Sequence, residues 1–246
     1  MKIFWFQTSK IAEGVGQRSK QLEEHGFDGI MLTYHVFGGD HFTRIARSID
    51  PESNFHYIVA MRPYVISGQY LAMICNSINE ISPNRISINL LTGFIKEKEK
   101  GVGGFLSNVT DKSSPAERSQ YMLDYAEMFR SLSLPTPDFY VSTSNEQAIG
   151  VCQEKNFPII VQYSLYKQNK YDFKNIKHVV SICPTVRDDD KAFVNRTMDY
   201  ELFNKQEFFN FLDQCKNNGA YGILISEDVP NSEYDRLISL IKEYRV

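Results

Sequence analysis

Long apolar runs are missing from this 246-residue chain. No window approaches the roughly 18 uninterrupted apolar residues that a spanning helix needs, which argues against an integral membrane protein. A strong charge of either sign is missing too. Lys and Arg number 27 against 30 Asp and Glu, a net charge of −3. That excludes both a basic field for nucleic acid and an acidic solvating tail. Cysteine is scarce: Cys75, Cys152, Cys183 and Cys215 stand apart with no CxxC pair. A zinc ribbon or a disulfide framework is therefore disfavoured, and the four read as buried, reduced thiols. The opening "MKIFWFQTSK" has too short an apolar stretch for a secretory signal, which points to the cytoplasm. A dinucleotide fingerprint is also lacking, because "TSKIAEGVGQ" after the first strand does not have the GxGxxG spacing. Tryptophan occurs once, whereas Phe and Tyr number 17 and 14. Those aromatics suit a packed core and a flat-ligand pocket equally well.

What is present is a regular alternation of short strands and helices. Strand patterns fall at 2–7, 28–33, 55–61, 85–91, 138–142, 157–163, 177–184 and 221–226. Helical patterns lie between most of them. Asp40, Ser67 and Ser114 are placed as N-caps, and Glu117 completes a capping box with Ser114. Ser144 is the cap expected for the helix from 145. Segment 163–177 reads as irregular, and 190–203 as helix or loop. A glycine-rich stretch of more than 20 residues, ending near Ser114, is too long for a simple connection. No composition break divides the chain, so residues 1–246 are read as one domain. Eight βα units predict an α/β architecture closing into a (β/α)8 barrel, with an open doubly wound sheet as the alternative.

In such a barrel the chemistry sits at the C-terminal strand ends. Those ends form a ring that includes Gln7, Thr33, His35, Arg62, Thr92, Ser142, Gln162, Tyr163, Cys183 and Ser226. Arg62 follows a buried strand, where a guanidinium demands an anion: a protein carboxylate or a ligand. Ser142, Thr143 and Ser144 precede a helix, where hydroxyls and free N–H groups suit either a phosphate or plain capping. His35 and His41 flank the loop after strand two and can hold or move a proton near neutral pH, or simply cap and pack. Tyr163, like Tyr34, is placed to stack on a flat ring or to fill the mouth.

Residues 55–93, "FHYIVAMRPYVISGQYLAMICNSINEISPNRISINLLTG", resemble the luciferase-like flavin monooxygenases, nearest to their alkanesulfonate branch. The likeness rests on Arg62, Pro63, Arg85, Asn89, Thr92 and Gly93. It extends through "SSPAERSQYMLDYAEMF" to "DFYVSTSNEQA", which is similar to the family's phosphate-binding turn. The resemblance implies a bacterial-luciferase-like barrel, here without the usual insertion after strand seven. It implies reduced FMN supplied by a separate flavin reductase and used with O2 on a small or carrier-presented substrate. Deazaflavin is the lesser alternative. Asn89 and Thr92 would lie by the ring, and Ser142, Thr143 and Ser144 by the phosphate. Gln162 and Tyr163 would also face the flavin, and a homodimer would form through helices of the first half. Catalysis would fall to His35, Arg62 and His41, since the branch's cysteine after strand two is replaced within "VFGGDHF" and its strand-seven Arg-x-His by Ser181 and Cys183. A flavin-holding relative without turnover, or a partner subunit of a monooxygenase, is the competing expectation.

Overall fold

The computed structural model describes residues 1–7, 14–33, 40–63, 65–91, 114–168, 170–182, 184–186, 201–226 and 231–245. In chain order the elements are β1 (Lys2–Gln7), α1 (Val15–Glu24), β2 (Gly29–Leu32), α2 (His41–Ser48), β3 (His56–Met61), α3 (Gly68–Ile81) and β4 (Ile86–Leu91). Then come α4 (Pro115–Arg130), β5 (Asp138–Ser142), α5 (Glu146–Glu154), β6 (Ile159–Gln162), α6 (Tyr163–Tyr166) and β7 (His178–Ile182). The last are β8 (Pro184–Val186), β9 (Glu201–Phe203), α7 (Lys205–Asn217), β10 (Gly222–Ser226) and α8 (Asn231–Arg245).

Eight of these strands close into a parallel barrel in the order β1-β10-β7-β6-β5-β4-β3-β2, with β2 returning to β1. This is the (β/α)8 barrel, and the open sheet is ruled out. β8 and β9 form a separate two-stranded parallel sheet between β7 and α7. Sequence reading had assigned 201–203 to a helix or loop; three residues carry too little period-2 signal to read as a strand.

Local chemistry starts the helices where expected. The Asp40 carboxylate accepts from the Thr43 N–H at 2.7 Å, and Ser67 Oγ from the Tyr70 N–H at 3.3 Å. Ser114 and Glu117 satisfy each other's backbone N–H groups in a reciprocal capping box. α5 is different: its cap is Asn145, whose Oδ1 accepts from the Ala148 N–H at 3.0 Å, and not Ser144. Ser144 is exposed.

Strand alternation divides the side chains between two apolar layers. Ile3 and Trp5 of β1, Tyr57 and Val59 of β3, and Ile88 and Leu90 of β4 face outward into the shell beneath the helices. Their neighbours Phe4, Met31, Ile58, Tyr140, Val179 and Leu224 fill the lumen. The N-terminal floor is shut by Phe4, admitted because Gly29 and Gly222 bring no side chain there: a Cβ on Gly222 would meet Phe4 Cε2 at 2.7 Å. Lys177 also lies at the floor, 2.6 Å from Asp138 and 4.1 Å over the Tyr221 ring. Phe4 closes the floor, and above the His56–Ser87 pair the described lumen is lined by apolar side chains, which leaves the polar strand ends of the opposite rim as the place for a ligand.

Candidate functional site

The same alternation selects which strand-end residues point into the mouth. β4 sends Ile86, Ile88 and Leu90 outward, so Ser87, Asn89 and Leu91 face inward. β5 sends Phe139 and Val141 outward, so Tyr140 and Ser142 face inward. By the same count Gln162, Ser181 and Ser226 lie on the lumen side of β6, β7 and β10. The described rim is therefore rich in hydroxyl and amide groups above an apolar lumen.

Asn89 is the polar group set deepest in this end of the lumen, and it is 1% exposed. Ser142 Oγ donates to its Oδ1 at 2.9 Å, and its Nδ2 lies 3.3 Å from the Met31 sulfur. β3 passes between β2 and β4 and contributes only Ala60 beside Asn89, which leaves room for Met31 to reach across. Sequence reading found Asn89 and Ser142 but not Met31. Alternation puts Met31 in the lumen once β2 is placed, but its meeting with Asn89 depends on barrel closure.

Arg62 follows β3 directly and is buried at 7% exposure. Alternation carries it to the lumen side, and its carbonyl accepts from the Val65 N–H at 3.1 Å, turning the chain away toward α3. His41 opens α2 with Nε2 2.5 Å from the Thr33 carbonyl oxygen. A carbonyl only accepts, so Nε2 carries the proton and Nδ1 is the basic atom of the neutral ring. Thr33 Oγ1 in turn donates to the Gln7 carbonyl at 3.0 Å, tying the ends of β1 and β2 together.

Other strand-end residues are turned away from the mouth. Gln7 faces α1, where Arg18 Nε donates to its Oε1 at 3.3 Å. Tyr163 begins α6, and its ring packs edge-on against Phe211 at 4.8 Å in the outer shell, with Phe203 beside it. Gln162 is exposed. Thr143 Oγ1 accepts from the Asn145 N–H at 3.0 Å, so Thr143 and Ser144 form the turn above the α5 N-terminus. Glu146 in that first turn sets a negative charge beside any anion; Lys170 Nζ, 2.6 Å from its Oε1, offsets it. The hydrogen bond that Lys170 donates to Glu146 holds its ammonium above its usual pKa, so it stays charged.

His35, Thr92 and the long glycine-rich segment lie outside the described residues. Among the described residues there is no cluster of His, Cys, Asp or Glu able to hold a metal ion, and no helix long and apolar enough to cross a membrane. Cys75, Cys152 and Cys215 are buried free thiols pushed up to about 12 by desolvation, which removes them as nucleophiles.

No protein-family model and no curated protein matches this sequence. Solved structures match it in fold. DmoA from Hyphomicrobium sulfonivorans superposes with a TM-score of 0.69 at 10% identity, covering 100% of this chain and 87% of that one. The coenzyme F420 dependent tetrahydromethanopterin reductase from Methanopyrus kandleri gives 0.66 at 10% identity, covering 99% and 97%. The oxygenating constituent of 3,6-diketocamphane monooxygenase from Pseudomonas putida, a type II Baeyer-Villiger monooxygenase in complex with FMN, gives 0.59 at 13% identity, covering 99% and 97%. The chain thus shares the barrel fold of these proteins.

Proposed function

We propose that the barrel mouth holds a flavin, and that the protein is an FMN-dependent monooxygenase acting with O2 on a small or carrier-presented organic substrate. The observation that carries this reading is the Asn89 amide, fixed inside an apolar lumen beneath a rim of hydroxyls. A flat ring with apolar faces and polar edges matches that combination. Among the described residues the Asn89 Nδ2 donor meets a thioether, and a ring carbonyl is a far stronger acceptor. Fold neighbours that carry FMN or use coenzyme F420 support a flavin-type guest.

On this reading Asn89 and Thr92 hold the ring, with Gln162 at its edge. Thr143 and Ser144, above the α5 N-terminus, hold the phosphate. Bound reduced flavin supplies the two electrons with which O2 is reduced as substrate is oxidised. His41 holds or moves a proton at Nδ1, because Nε2 is committed to the Thr33 carbonyl. Arg62 places a permanent positive charge at the rim for an anionic part of the substrate. Reduced flavin would come from a separate reductase, and the protein would act in the cytoplasm as a homodimer. Tyr70 and Met73, exposed on α3, support pairing through that helix.

A second reading, a flavin holder or partner subunit without turnover, is favoured by one observation. Apart from the Glu146–Lys170 pair at the α5 turn, the ionisable side chains that stand out at the described strand ends are His41 and Arg62.

The test begins with purified protein titrated with oxidised and reduced FMN, with riboflavin and with coenzyme F420, followed by absorbance and fluorescence. FMN is expected to bind and to reoxidise at an altered rate. Absence of any flavin or deazaflavin binding overturns the proposal. Binding with no oxygenated product across a substrate panel, together with an active complex on adding a second subunit, establishes the second reading.

A further inference from the structure

The hydrogen bonds of Asn89 decide its orientation. A thioether sulfur accepts but never donates, so the amide end that faces Met31 must be Nδ2. The other end, Oδ1, then faces Ser142 Oγ at 2.9 Å and can only accept, so the hydroxyl proton of Ser142 goes to Asn89. A serine hydroxyl has one proton. Phosphate oxygens at neutral pH also need a donor. Ser142 therefore cannot serve Asn89 and a phosphate at once, although its place in "VSTS" suggests a phosphate contact.

Two further observations separate Ser142 from the turn that follows it. It lies on the lumen face of β5, two residues beyond Tyr140, whose side chain is buried in the barrel interior. Thr143 and Ser144 instead sit in the turn, with Thr143 Oγ1 joined to the Asn145 backbone. The Met31 contact tells the two ends of the amide apart, and the 2.9 Å bond from Ser142 anchors the Oδ1 end to β5.

We infer that Ser142 is a positioning residue for Asn89: its hydroxyl anchors the Oδ1 end of the amide to β5 while the N–H end faces Met31, and it acts on the ring of the bound cofactor through Asn89 and not on the phosphate. This assignment rests on the flavin reading given above. Losing Ser142 frees the amide to flip and present Oδ1 where Nδ2 stood, so a ring carbonyl would meet an acceptor in place of a donor. The cost falls on ring recognition and is the same for a flavin with or without a phosphate.

The experiment compares FMN and riboflavin affinities in the wild type, Ser142→Ala, Ser142→Thr, Asn89→Ala and the Ser142→Ala/Asn89→Ala double variant. Ser142→Ala is expected to weaken both flavins by about tenfold, leaving the FMN-to-riboflavin ratio unchanged. Ser142→Thr, which keeps a hydroxyl, restores most of the affinity. The double variant binds no worse than Asn89→Ala alone. A loss confined to FMN would return Ser142 to the phosphate and overturn the inference, as would no loss for either flavin.

A readout without flavin keeps the two proposals apart. The side-chain amide signals of Asn89 in the nitrogen-15-labelled protein, identified by their loss in Asn89→Ala, report its hydrogen bonding directly. In Ser142→Ala these protons should exchange with solvent about tenfold faster and shift. If they do not change, Ser142 does not hold Asn89, whatever the protein binds. If the wild type binds no flavin while the signals respond to Ser142→Ala, the flavin reading fails and the positioning of Asn89 stands.

Discussion

At the closed end of the barrel, His56 Nε2 lies 2.7 Å from Ser87 Oγ, an imidazole and a hydroxyl paired across β3 and β4. The pair sits at the floor, at the opposite end of the strands from Asn89 and Ser142. Burial drives the His56 pKa down to about 4, and the positive charge of Lys177 pushes the same way. The ring is therefore neutral in the folded protein at physiological pH.

A pH dependence follows. In the unfolded chain His56 titrates near 6.5, so below that pH the unfolded state binds a proton that the folded state refuses. Its contribution to stability is complete above about pH 6.5, falls as pH drops toward 4, and is flat below. Urea unfolding at pH 7 and pH 5 should show the wild type losing about 2 kcal/mol more than His56→Gln, which keeps a polar group beside Ser87 but does not titrate. Equal losses in the two proteins would place the imidazole in contact with solvent.

Arg85 organises the segment between α2 and β3. Its Nε donates to the Phe55 carbonyl at 2.6 Å, and Nη1 reaches the Asp50 carbonyl and Ser82 Oγ, each at 3.3 Å, as well as the Ser53 carbonyl. One planar fork thus satisfies several carbonyls at once. Arg85→Ala should cost about 3 kcal/mol in chemical denaturation, because it strands buried acceptors. Arg85→Lys should recover less than half of that, since a point charge cannot reach them together. The floor lies away from the mouth, so flavin affinity should hold in both variants wherever they remain folded.

Two glycines provide a contrast. A Cβ on Gly29 would stand 2.3 Å from the His56 carbonyl oxygen, where backbone cannot yield. Gly150, within α5, has nothing within 4 Å of its Cβ position. Gly29→Ala should destabilise by about 3 kcal/mol or prevent folding. Gly150→Ala should stabilise by about 0.5–1 kcal/mol, by reducing the freedom of the unfolded chain in a helix interior. Thermal melts of the two variants check both signs.

Much of the fold was legible because its signals are local. Asp40, Ser67 and Ser114 cap the helices that follow them through hydrogen bonds within three residues. Ser144 shows where local reading stops. Two adjacent side chains, Ser144 and Asn145, can both cap, and the path of the chain leaving β5 chose Asn145. Of the candidate site, Asn89 was legible only through the family likeness, and its partners Ser142 and Met31 come from β5 and β2, 53 and 58 residues away. Tyr163 reads as a mouth residue in sequence, but a one-residue step past Gln162 turns it outward onto Phe211.

Sequence alone determined the count and order of the barrel strands and the helix starts at Asp40, Ser67 and Ser114, since these depend on patterns and neighbours a few positions apart. It could not say which face of each strand looks inward. Strands of a parallel barrel are apolar on both faces, so a period of two leaves the sides equivalent until the sheet closes. Closure made that choice, and with it turned Ser142 from a residue of a phosphate-like turn into the hydroxyl that holds Asn89.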